Sequence, residues 1–123
     1  MKTRRLPSLL IALCALAAPV LAGDLNGRWW GDATLGGTFP VQVYLILQGN
    51  TIKGTGGPNA SQQDILIGKT DGKKVVFDIM PANRTPLHFE LTWDGDYRLT
   101  GKVSVRRDKE LVTGDVVLRK RTD

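Results

Sequence analysis

From Leu25 onward the chain places apolar residues at every second position, and Gly, Asn and Asp break the alternation roughly every 8 to 12 residues. Successive side chains of a strand point to opposite faces, so this period makes sheets with one apolar face and leaves no stripe for a helix. The clearest runs are Leu87, Phe89, Leu91 and Trp93, separated by His88, Glu90 and Thr92, and Tyr97, Leu99, Val103 and Val105, interspersed with Arg98, Thr100, Lys102 and Ser104. The same test assigns Phe39, Val41, Val43, Leu45 and Leu47 to one face, then Ile65 and Ile67, then Val75, Phe77 and Ile79, and finally Val112, Val116 and Leu118.

The spacing predicts eight strands, near 25–35, 39–48, 51–56, 62–69, 74–80, 87–93, 97–106 and 111–120. Short strands with a single apolar face can bury it by closing into an antiparallel up-and-down β-barrel, which also removes exposed sheet edges. A two-sheet β-sandwich of the same strands is the alternative. The turns at Gly49-Asn50, Asp71-Gly72 and Asp94-Gly95-Asp96 are tight and share one end of such a barrel. The other end receives Gly36-Gly37, the connections at 56–61 and 81–86, and the turn at 107–110.

Ahead of the strands, Lys2, Arg4 and Arg5 precede an apolar run from Leu9 to Leu21, and Val20-Leu21-Ala22 carries the small residues a signal peptidase reads. Residues 1–22 are therefore expected to be a cleaved signal peptide and 23–123 the barrel domain. The run is broken by Pro19 and falls short of the roughly 20 residues of a membrane span. Cys14 leaves with the signal, so the exported protein, periplasmic or secreted, is held by packing without disulfides. Removing Lys2, Arg4 and Arg5 reduces 17 basic residues to 14 against 12 acidic ones, and the formal charge from +5 to +2. That balance, without a basic stripe interleaved with aromatics, argues against nucleic acid as a partner.

Chemistry-bearing residues are few. His88 is the only imidazole and shares the polar face with Glu90, where no cavity excludes water. Asp94 and Asp96 flank a hairpin glycine, a turn before it is a carboxylate couple or a calcium loop. No nucleophile elbow, phosphate loop or metal-ligand cluster is present, so neither a catalytic residue nor a cofactor is implied. Asn59-Ala60-Ser61 and Asn83-Arg84-Thr85 are glycosylation sequons at the loop-rich end. That end also gathers Arg84, Arg106, Arg107 and Lys109 against Asp108 and Glu110.

Gly27-Arg28-Trp29, then Leu35-Gly36-Gly37-Thr38-Phe39, then Asn50-Thr51-Ile52-Lys53-Gly54-Thr55 resemble the opening of calycin barrels, the group of lipocalins and avidins. The resemblance covers the first third of the chain after the signal. It implies that Trp29 sits at the closed end under a basic residue of the last strand, Arg119 or Arg121. Biotin binding does not follow, because the only tryptophans are Trp29, Trp30 and Trp93 and the inward faces are almost wholly aliphatic or Phe.

Two function classes fit. The first is a small exported, non-enzymatic barrel that binds an apolar or amphiphilic molecule. Its lining would be Val41, Val43, Phe77, Ile79, Phe89, Leu91 and Val103, with room made by Gly54 and Gly101, and Arg84, Arg106 and Arg107 at the rim would meet an anionic head. The second is a protein-interaction module, such as a secreted enzyme inhibitor, that uses loops or the outward Trp30, Tyr44 and Ile46. N-terminal sequencing of exported protein is expected to read from Gly23 or within about two residues of it. A chain beginning at Cys14, or retained intact in a membrane, would replace the soluble reading with an anchored one.

Overall fold

The computed structural model describes residues 24–82 and 84–121, so the expected signal peptide, Gly23 and Asn83 lie outside the described residues. The strands are β1 (Gly27–Thr34), β2 (Thr38–Gln48), β3 (Thr51–Asn59), β4 (Gln62–Thr70), β5 (Lys74–Met80), β6 (Leu87–Trp93), β7 (Arg98–Arg107) and β8 (Glu110–Lys120). Each pairs antiparallel with its successor and β1 pairs with β8, which closes an up-and-down barrel. Among the described residues, no helix is long and apolar enough to cross a membrane.

The closed-end turns are built as their residues require. Gly49, Gly72 and Gly95 take φ of +66°, +98° and +89°, backbone that a β-carbon disfavours. Asp71 Oδ1 accepts from the Lys73 and Lys74 amides at 2.9 and 2.7 Å. Asp94 Oδ1 does the same for Asp96 and Arg98 at 2.8 and 3.1 Å, so this aspartate is a turn residue. These amides hold both carboxyls below the usual aspartate range. At the opposite end β3 continues to Asn59 through a bulge after Gly56, so the expected long connection at 56–61 shrinks to Ala60-Ser61. Asn59 itself closes that turn, its Oδ1 accepting from the Ser61 and Gln62 amides.

The core fills the closed half. Trp29 is 1% exposed, and its indole Nε1 donates to the Leu25 carbonyl at 2.9 Å, so the ring is buried without an orphaned donor. The basic cover is Lys120, not Arg119 or Arg121. Lys120 stands opposite Trp29 in the β1–β8 ladder, places Nζ 5.2 Å from its ring and donates to the Asp24 and Asn26 carbonyls. Arg119 lies opposite Trp30, and the Arg121 guanidinium lies 4.2 Å from that outer ring. Trp93, expected to complete an inward face, is half-buried at the barrel end and donates to the Asp96 carbonyl. Tyr97 falls in the turn before β7 and is exposed.

One strand presents the opposite face to the one its pattern suggested. Ile65 and Ile67 are 63% and 54% exposed, whereas Leu66 is fully buried. The Asp71–Gly72 turn sets the reason: it aligns Thr70 with Val75, Gly68 with Phe77 and Leu66 with Ile79. Val75, Phe77 and Ile79 are buried, and residues directly opposite share a face, so Thr70, Gly68, Leu66 and Asp64 must point inward. Thr70 is accommodated because its hydroxyl donates to the Lys74 carbonyl at 2.7 Å and accepts from the Gly72 amide.

Gly54 and Gly101 point inward but make no room. A β-carbon at Gly54 would stand 1.8 Å from the Tyr44 carbonyl oxygen, and one at Gly101 2.1 Å from that of Glu90. The space is occupied by the neighbouring strand's backbone, and glycine is what permits the two strands to approach.

The face assignment has a direct check by chemical denaturation. Leu66→Ala is expected to cost about 2 to 5 kcal/mol, and Ile67→Ala to stay within about 0.5 kcal/mol of the parent. Equal losses would contradict the register of β4.

Candidate functional site

The open half of the barrel is a cup of about 570 Å³. Its walls are Ala33 and Val41 from β1 and β2, Ile79 from β5, Phe89 from β6, and Val103 and Val105 from β7, with Leu35 and Leu87 at the strand ends. Phe89 stacks on Phe77 with ring centroids 4.8 Å apart, and this pair separates the cup from the packed half. Four of the seven apolar residues expected to line a cavity do so: Val41, Ile79, Phe89 and Val103. Val43, Phe77 and Leu91 lie deeper and are 3%, 1% and 1% exposed, within the solid core.

Arg84, Arg106 and Arg107 stand at the mouth, as expected. Arg84 comes from the β5–β6 connection, and the two adjacent arginines close β7. The ion pairs among the described residues join His88 to Asp78 and Glu90, and Lys102 to Asp115, so no carboxylate is engaged with these guanidinium groups. Phe39, read as part of the inward face, lies beyond the level of the core; it is 47% exposed and forms part of the rim beside Pro40. The same alternation that buries Val41 still aims it at the opening.

Several cup residues were not legible. Ala33 and Leu35 extend the inward face of β1, but the alternation there is obscured by Gly31 on the inward side and Trp30 on the outward side. Pro81, Thr85 and Leu87 reach the mouth through a connection whose course no periodicity predicts. Asp64 also faces the cup, the consequence of the β4 register. Counting alternation from Leu66, with the turn at Asp71-Gly72 as the anchor, is the signal that would have found it.

The polar cluster on the outer wall is larger than sequence spacing indicated. His88 Nδ1 lies 2.6 Å from Asp78 Oδ1, contributed by the adjacent strand, and Nε2 lies 3.0 Å from Glu90 Oε2. With a carboxylate at each ring nitrogen, the arrangement favours the doubly protonated ring and leaves no free lone pair to act as a base. The hydrogen bond that the ring donates to Asp78 is the main cause that raises the His88 pKa above its ordinary value, partial burial opposes it, and Glu90 adds to the rise.

A second depression, about 270 Å³, opens on the outside between Arg28, Trp30, Gln42, Tyr44 and Arg121. The Arg28 guanidinium lies 5.8 Å from the Tyr44 ring. Ile46 on β2, Ile65 and Ile67 on β4, and Met80 on β5 are also exposed. Comparison with known proteins finds no family model, no curated protein and no solved structure that matches this chain.

The histidine cluster generates a pH dependence of known sign. Because the folded pKa lies above the unfolded 6.5, the native state binds the proton more tightly, and the stabilisation is fully present below pH 6.5 and lost as pH rises through the folded value. The thermal midpoint is expected to fall across that window, and His88→Gln to remove that part of the fall. An unchanged pH profile in the variant would place the titration elsewhere.

Proposed function

We propose that this protein is a small, exported, non-enzymatic barrel of calycin type that binds an amphiphile, with the apolar tail in the cup and an anionic head among Arg84, Arg106 and Arg107. The observation that carries the reading is the combination at the open end: an apolar cup of about 570 Å³ whose mouth holds three arginines that form no ion pair with a carboxylate among the described residues. The volume lies within the range of about 300 to 1,000 Å³ common to small-molecule sites. An aliphatic wall cannot satisfy the hydrogen bonds of a polar solute, so affinity must come from a tail. Guanidinium groups match carboxylate or phosphate oxygens in geometry and charge. The closed-end arrangement of Trp29 beneath Lys120 supports the calycin likeness.

A second reading, a protein-interaction module such as a secreted enzyme inhibitor, is favoured by the outer wall. Trp30, Tyr44, Arg28 and Arg121 surround the smaller depression, and aromatic residues with arginine are the side chains that carry most binding energy at protein interfaces.

Titration with dodecanoate separates the two. Binding is expected, tighter at low salt than at high because the arginines are exposed and screened. Replacing both Arg106 and Arg107 by Ala should abolish most of the salt dependence while retaining most of the affinity. Absence of binding of any such amphiphile by the folded protein would end the carrier reading and leave the outer wall as the functional surface.

A further inference from the structure

Asp64 is the one carboxylate among the described residues that line the cup. It is partly buried, it faces the cup, and among the described residues no ion pair or side-chain hydrogen bond engages its carboxyl. A carboxylate contributes nothing to holding a tail, and a fold that needed only a tail-binding cup would carry an apolar or hydroxyl side chain there. Local rules broken at the wall of a cavity mark positions kept for a ligand.

Its place relative to the arginines defines the ligand further. Asp64 lies near the start of β4, whereas Arg106 and Arg107 end β7, three strands further round a ring of eight. The carboxylate and the guanidinium groups therefore stand on nearly opposite walls of one mouth. An eight-stranded barrel is roughly 15 Å across between backbones, and side chains from both walls narrow that width to the reach of a single head group. The mouth thus carries a negative charge on the β4 side and Arg106 and Arg107 on the β7 side, with Arg84 entering from the β5–β6 connection between them.

Resting on the amphiphile reading above, we propose that the ligand is zwitterionic: its anionic group meets Arg106 and Arg107, an ammonium a few atoms away donates to Asp64, and the tail fills the cup toward Phe89. A purely anionic amphiphile would leave Asp64 desolvated and would bring a second negative charge near it. An ammonium donor removes both penalties.

The probes are lauroyl lysophosphatidylethanolamine and lauroyl lysophosphatidylglycerol, below their micelle concentrations. Tail and singly charged phosphodiester are the same in both, and only the first carries an ammonium. The full exported protein is expected to bind the ethanolamine lipid about ten-fold more tightly, and Asp64→Asn to remove the preference while leaving the glycerol lipid bound. Asp64→Asn should also keep or raise the thermal midpoint, because it deletes an unpaired charge. Equal affinities in the parent, a preference that survives in Asp64→Asn, or a lower midpoint in that variant would overturn the proposal while dodecanoate binding still upheld the carrier reading. Failure of all three amphiphiles to bind would overturn both.

Discussion

The backbone ladder between β1 and β8, from Trp29 opposite Lys120 to Thr34 opposite Asp115, turns an eight-stranded sheet into a tube in which no strand keeps an unpaired edge. Closure commits each strand to present one face to an interior only slightly wider than the side chains that fill it. The last strand is thereby brought against the first, which places Lys120 over Trp29 and lets its ammonium serve the carbonyls of Asp24 and Asn26. Burial there keeps the Lys120 pKa below the ordinary lysine value, with the Asp24 charge opposing. The tube also demands close backbone approach, and Gly54 and Gly101 stand where a β-carbon would collide with the next strand's carbonyl.

From the same closure follows the division of the interior. Below the Phe77–Phe89 stack the inward side chains are large, and Trp29, Leu45, Ile52, Leu99 and Leu118 leave no room. Gly68 is part of that solution: a β-carbon there would stand 2.1 Å from the Val76 carbonyl oxygen and 2.5 Å from Phe77 Cβ, so the glycine is what allows β5 to approach β4 at the level of Phe77. Above the stack, smaller residues such as Ala33, Val41 and Val103 face one another and the walls do not meet. Stability is thus concentrated in one half, while the other half can be hollow, rimmed by charge and open to a ligand.

How much of the candidate site could be read in advance depended on the kind of information each residue carried. Val41, Ile79, Phe89 and Val103 were legible because each belongs to a long alternating run, and Arg84, Arg106 and Arg107 because they flank connections assigned to one end. Asp64 was not, because in Asp64-Ile65-Leu66-Ile67 either face has apolar members, and the pair of isoleucines outweighs a single leucine in any local count. His88 and Glu90 were legible as neighbours on one face, but Asp78 joined them only through the β5–β6 register.

The sequence by itself determined the number of strands, the tight turns and the inward sets of most strands, because period-two alternation and the positive φ of Gly49, Gly72 and Gly95 are local properties of the chain. Only the tertiary structure decided which face of β4 turns inward, which basic residue covers Trp29, and where the filled core gives way to a cup. Those outcomes are set by cross-strand register and by the sizes of side chains from different strands meeting across the barrel, and neither quantity is contained in any single run of residues.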